Sequence, residues 1–266
     1  MAAPNPIETS SLDALVDEIL VKCTSRKADR SRIDQSEVWR IARHDYSSSV
    51  REHLSESFVR HLIRAARRLW PAINKRPVRH SAPEVFKREV ARLGVDLCAR
   101  PYGGPRGLAL RGFYIDSEAT GLRRPLIYLN TAHEPAAVSA TYCHEVGHFL
   151  TTKITKNYDS KVNFFFSSAY SSHLNDRSEL AADAMASLAA YPYPLARRIF
   201  SKPGWELSAK PDKLIDAALE KAFAHVRGLT GFEFKTSLPA GQNLNYLAGL
   251  IHYAKLRSAL LAAYNL

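Results

Sequence analysis

Cysteine is scarce in this 266-residue chain. Cys23, Cys98 and Cys143 are odd in number and far apart, which argues against a disulfide framework and suits a reducing compartment. Long apolar runs are missing as well, so no segment reads as a membrane span. The opening "MAAPNPIETS" has neither the basic start nor the apolar run of an export signal. The expectation is therefore a cytoplasmic protein with no membrane partner. Internal repeats and low-complexity tracts are absent too, which sets aside solenoids and disordered scaffolds. Acid is the minority charge, with 26 Asp and Glu against 37 Lys and Arg for a net charge of +11. The deficit is uneven: "RHLIRAARRLWPAINKRPVR" (60–79) carries seven basic residues and no acid. A solvated helix face explains such a run as well as contact with DNA or an acidic partner does.

What is present is enough apolar material, 46% of residues, for a sizeable core. "SLDALVDEILVKCT" (11–24) has apolar residues at helical spacing. "QSEVWRIARHDY" and "SESFVRHLIRAARRLW" follow as helices. In the second, Phe58, Val59, Leu62, Ile63, Ala66 and Leu69 form one stripe, with Arg60, Arg64, Arg67 and Arg68 opposite. Residues 1–80 thus read as a basic all-helical unit, and the three prolines of 71–83 mark a linker. The texture then changes. "APEVFKREVARLG" reads as a helix stopped by Gly94, "VDLCAR" as a short strand, and "GLALRGFYID" and "RPLIYLNT" as a hairpin. "PLIYLN" is expected at a sheet edge, where an extended substrate could pair with it. "EPAAVSATYCHEVGHFLTTK" and "NDRSELAADAMASLAA" are helices separated by an irregular stretch. Two further helices, near 211–227 and 243–263, form a C-terminal extension over 196–266. The fold class is α+β, mostly helical, with a small antiparallel sheet.

The stretch "YCHEVGHFL" carries the chemistry. His144 and His148 are four apart, hence on one helix face with Cβ atoms roughly 5–6 Å apart. Two imidazoles so placed can reach one zinc ion at about 2.0–2.1 Å. Glu145 lies beside the ion but is angled away from ligation, where it can take a proton from water. Gly147 weakens the helix by about 1 kcal/mol relative to Ala, which suggests close approach by a second helix. Cys143 is turned about 100° from His144 and reads as core. The remaining histidines, His252 among them, form no spacing that marks a site.

A catalytic zinc needs a third protein ligand and one open position. Glu179, in "NDRSELAADAMASLAAYPYP", is the candidate, with Asp183 one turn on to hold a ligand histidine by its second nitrogen. The same residues also read as a capping box, Asp176-Arg-Ser-Glu179. Both readings stand on the sequence alone. Tyr170 and His173, just upstream, are the two candidates for a donor to a transition-state oxyanion, beside the plainer readings of a core tyrosine and a surface histidine.

Two separated motifs together resemble a family. "GVDLCARP…GFYID…RPLIYLN…ATYCHEVGHFL…SELAADAMASLAAYP" is similar to the ImmA/IrrE-type zinc metallopeptidases over about residues 84–195. The second helix matches at Glu179, Ala182 and Ala186, with Asp183 where the family often has Asn and Pro192 at its closing proline. The resemblance implies a zincin-like core within residues 81–195, Zn2+ on His144, His148 and Glu179, and Glu145 as general base. It implies a protein substrate, typically a helix-turn-helix transcriptional repressor cleaved in a stress or mobile-element response. The competing reading is a non-catalytic regulator that binds DNA or an acidic partner through the basic N-terminal helices.

Overall fold

The computed structural model describes residues 9–25, 37, 40–41, 44–70, 83–102, 110–117, 122–133, 135–154, 162–166, 170–190 and 240–265. In chain order these residues form α1 (Thr9–Ser25), α2 (Tyr46–His53), α3 (Glu56–Leu69), α4 (Pro83–Ala91), β1 (Asp96–Arg100), β2 (Leu110–Ile115) and β3 (Leu126–Asn130). They continue with α5 (Pro135–Ile154), β4 (Val162–Phe166), α6 (Tyr170–His173), α7 (Arg177–Ala189) and α8 (Ala240–Tyr264). The protein is α+β and mostly helical. Most of the helix expected over 35–46, the proline linker at 71–83 and the helix expected near 211–227 lie outside the described residues.

Local chemistry accounts for the helix ends. Asp45 caps α2 by accepting from the Ser47 and Ser48 amides, and Ser55 caps α3 by accepting from the Phe58 amide. Past α4, Gly94 takes φ +75°, the left-handed conformation that ends a helix at little cost for glycine. Pro135 occupies the first helical position of α5, where a missing N–H costs nothing.

The sheet order is β1-β3-β2-β4. Two expectations are corrected here. The sheet is mixed, because β1 runs parallel to β3 while β2 and β4 are antiparallel to their neighbours. And β3, the "PLIYLN" strand, is interior: β1 takes one edge and β2 the other, so no substrate strand can add to it. Its five residues are all buried, the signature of a strand covered on both faces. The stretch between α5 and α7, expected to be irregular, contains β4 and α6.

Alternation on the strands divides the core. Phe113, Ile115, Leu126 and Tyr128 face Val16, Ile19 and Leu20 of α1, whereas Tyr114, Ile127 and Leu129 join the larger cluster under α5. That larger cluster includes Val59 and Leu62 of α3, Met185 of α7, and Leu256 and Leu260 of α8. Helices from before residue 80 and after residue 196 therefore share one apolar interior with the central segment. Glu89 of α4 adds a polar tie, accepting from Trp70 Nε1 at 3.2 Å and from the Tyr142 hydroxyl at 2.9 Å. Among the described residues no helix is long and apolar enough to cross a membrane.

Candidate metal centre

Helix α5 turns His144 and His148 onto one face, and α7 crosses it closely enough to bring Glu179 opposite. The close crossing depends on Gly147. A Cβ there would lie 2.7 Å from Ala182 Cα and 3.1 Å from the Ala182 carbonyl oxygen, so only glycine admits the α7 backbone. Cys143 on the next face is buried in the main cluster, as its position on the helix predicts.

The ligand atoms converge. His144 Nε2 lies 3.0 Å from His148 Nε2, 3.3 Å separates it from Glu179 Oε2, and His148 Nε2 is 3.5 Å from that same oxygen. A tetrahedral ion with bonds of about 2.0–2.1 Å has ligand–ligand edges of about 3.3–3.4 Å. The three atoms thus form one face of such a tetrahedron, and these residues are the group among those described that could hold a metal ion.

Hydrogen bonds behind the rings fix which nitrogen faces the centre. Asp183 Oδ1 accepts from His144 Nδ1 at 2.8 Å, and Ser178 Oγ lies 3.4 Å from His148 Nδ1. With their Nδ1 atoms so occupied, both rings present Nε2 inward. Asp183 Oδ2 accepts from His173 Nδ1 at 2.8 Å and from His252 Nε2 at 2.9 Å. One fully buried carboxylate therefore serves three imidazoles. His252 Nδ1 in turn meets the Tyr46 hydroxyl at 2.9 Å.

The capping-box reading divides. Asp176 does cap α7, accepting from the Ser178 and Glu179 amides. Its own N–H, however, donates to the His173 carbonyl, and the Glu179 carboxylate faces the imidazoles instead of completing the box. His173 Nε2 lies 3.5 Å from Glu179 Oε2, beside the three-atom group rather than in it. Tyr170 sits one layer back, its ring 4.9 Å from that of His252 and 5.9 Å from that of Tyr253, under the Arg111 guanidinium. It is a core tyrosine.

Glu145 is fully buried, and neither carboxylate oxygen has a hydrogen-bond partner among the described residues. Strand β2 comes down onto it: a Cβ on Gly112 would lie 3.2 Å from Glu145 Oε1, and 2.7 Å from both Thr141 Cγ2 and the Tyr128 carbonyl oxygen. Gly112→Ala is expected to lower stability by about 1–3 kcal/mol through overpacking. Thermal unfolding reads it, and an unchanged melting temperature would contradict so close a contact.

Charge follows the geometry. Burial, with Glu179 and Asp183 nearby, pushes the Glu145 carboxyl well above its ordinary range, against the opposing pull of His144. Burial also works against ionising Glu179 and Asp183, but the surrounding imidazoles outweigh it and hold both far below that range. His144 is penalised by burial, yet Asp183, Glu179 and Glu145 push it up to about 10, while burial leaves His148 lowered. Geometry and charge thus favour a proton on His144 Nε2 in the metal-free centre, where it faces both His148 Nε2 and Glu179 Oε2. A zinc ion held by these three residues would have to displace it. Zinc binding at neutral pH is expected to release at least one proton, and affinity should rise with pH until His144 loses its proton near 10. Calorimetry in buffers of different ionisation enthalpy measures this, and binding without proton release would refute it.

No family model matches the chain, and neither a curated protein nor a solved structure does. Of the residues singled out in the sequence, His144, Glu145, His148, His173, Glu179 and Asp183 come together, and Tyr170 stands behind them. Sequence reasoning missed His252 and Tyr46. Their partners lie 69 and 206 residues away, a separation at which no local spacing can flag a contact.

Proposed function

We propose that this chain is a zinc-dependent endopeptidase of the ImmA/IrrE type, with a zincin-like core and a cytoplasmic protein substrate. A helix-turn-helix repressor is the substrate the resemblance implies. One observation carries the reading: three ligand atoms at the edge lengths of a tetrahedral ion stand beside a buried carboxylate whose two oxygens have no hydrogen-bond partner among the described residues. That is the donor set of a zinc site with one position left open.

His144, His148 and Glu179 would hold the ion. Bound zinc would supply a Lewis acid that polarises a peptide carbonyl and eases ionisation of water. Glu145 accepts the water's proton and returns it to the leaving amine. Asp183 and Glu179 outweigh burial to favour the charged form of His173, whose Nε2–H can then donate to the developing oxyanion. Elemental analysis of the purified chain tests the reading. About one zinc per chain, lost in Glu179→Ala, is expected of a three-ligand site. No zinc even after reconstitution would overturn it.

A second reading, a regulator that works by contact, is favoured by α3. Arg64, Arg67 and Arg68 are exposed and have no ion-pair partner among the described residues, whereas Arg60 is bound to Glu56 at 2.7 Å. If this face meets DNA, replacing the three arginines by Ala should reduce the slope of log K against log salt by about 3. An unchanged slope in a titration against duplex DNA removes the DNA reading. It leaves the peptidase reading intact.

A further inference from the structure

Helices α2 and α8 contribute no ligand to the metal centre, yet both reach it. His252 of α8 is fully buried and places Nε2 2.9 Å from Asp183 Oδ2. Its Nδ1 meets the hydroxyl of Tyr46, at the start of α2, at 2.9 Å. Asp183 faces three imidazoles and accepts from each only as a carboxylate, so His252 must present N–H at Nε2. Neutral His252 then has a lone pair at Nδ1, and Tyr46 must donate to it. Burial lowers the His252 basicity, in keeping with the neutral ring. The charged and polar groups facing this ring come from every side of it: Asp183 from α7, Tyr46 from α2, and Tyr170 and His173 from α6.

The carboxylate so anchored is the one whose Oδ1 fixes the ring of His144 and whose Oδ2 fixes that of His173. A carboxylate held by one donor can swing about its side-chain torsions. One held by three donors from three helices cannot. We infer that His252 and Tyr46 are positioning residues of the metal centre: the chain Tyr46–His252–Asp183–His144 sets the orientation of a ligand histidine and couples zinc affinity to the packing of α2 and α8 on α7. The inference rests on the zinc reading of the site. Outer partners of metal-ligating histidines commonly set affinity by one to two orders of magnitude.

Zinc affinity of the full chain, measured by competition with a chromophoric chelator, tests the coupling. His252→Leu is expected to weaken zinc binding by about 10–100-fold. His252→Gln, whose Nε2 reaches the same place and can still donate to Asp183, is expected to stay within about threefold of wild type. The decisive comparison is a double-mutant cycle. In an Asp183→Asn background, His252→Leu is expected to change zinc affinity by less than about threefold, because the group it acts through is gone. Tyr46→Phe removes a single hydroxyl and serves if His252→Leu does not fold. It is expected to weaken zinc binding by about threefold or more in the wild-type background, and to do nothing beside His252→Gln, whose amide needs no Tyr46 donor. Melting temperatures in chelator separate loss of packing from loss of positioning. Equal losses in both Asp183 backgrounds, or variants that bind zinc like wild type, would overturn the inference while leaving the zinc site standing. A wild-type chain that takes up no zinc would overturn both.

Discussion

Glu145→Gln is expected to lower peptide hydrolysis by about 10²–10⁴-fold while leaving about one zinc bound per chain. The two halves of that result come from different features of the side chain. Activity falls because an amide cannot accept the water's proton. Zinc stays because Glu145 is not among the converging ligand atoms, which belong to His144, His148 and Glu179. Nor should the fold suffer. Glutamine is nearly isosteric, and both Glu145 oxygens lack a hydrogen-bond partner among the described residues, so no structural bond is removed. Burial already disfavours the charged form of this carboxyl, so a neutral amide in the same volume is expected to hold the melting temperature or raise it. Glu179→Ala is the contrast: it takes away the anion that faces three imidazoles, and the ion with it. Activity on an unfolded protein substrate, read beside metal content, checks the pair. A Glu145→Gln protein that keeps activity within tenfold would remove Glu145 from the chemistry, and one that loses zinc would make it a ligand.

The parts of this site that were legible in the sequence are those governed by helical period. His144 and His148 lie one turn apart on α5, Glu179 and Asp183 one turn apart on α7, and each pair can be placed on a common face before any tertiary contact is known. The same period predicted the apolar stripe of α3 and the core position of Cys143. Other features left a signal that was misread. Leu126 to Leu129 of β3 form a continuous apolar run with no polar alternation, the pattern of a strand covered on both faces and not of an edge. Helix α2 runs through "YSSSV", a poor helix-forming sequence, and is announced mainly by its cap, Asp45. The run "VNFFF" of β4 has strand composition and is framed by "NYDS" before it and "SS" after it, but at five residues it is too short to stand out from the loop signals around it. Tyr46 and His252 left no signal at all, because long-range hydrogen bonds between single residues on separate helices have no period.

The crossing of α5 and α7 is the feature on which the whole proposed centre depends, since one helix carries His144, His148 and the proposed base Glu145, and the other carries Glu179 and Asp183. Gly147 permits that crossing. In an isolated helix Gly147→Ala would stabilise by about 1 kcal/mol. Here the new methyl would meet Ala182 Cα at 2.7 Å and the Ala182 carbonyl oxygen at 3.1 Å, and backbone atoms cannot rotate aside as a long side chain can. The helices must part by several tenths of an ångström, at an overpacking cost of about 1–3 kcal/mol. The propensity gain and the packing cost therefore compete, and packing is expected to win by about 1–2 kcal/mol. The larger effect falls on the metal. Separation moves Glu179 from His144 and His148, and draws Asp183 back from His144 Nδ1, so ligand and orienting partner are disturbed together. Zinc affinity is expected to fall by about 10–100-fold, as when an outer partner is lost outright. Chelator competition and thermal melts of the metal-free protein read the two effects separately. A Gly147→Ala chain that melts higher than wild type and binds zinc as tightly would mean that α5 and α7 are not pressed together at Ala182, and the close approach would cease to explain the glycine.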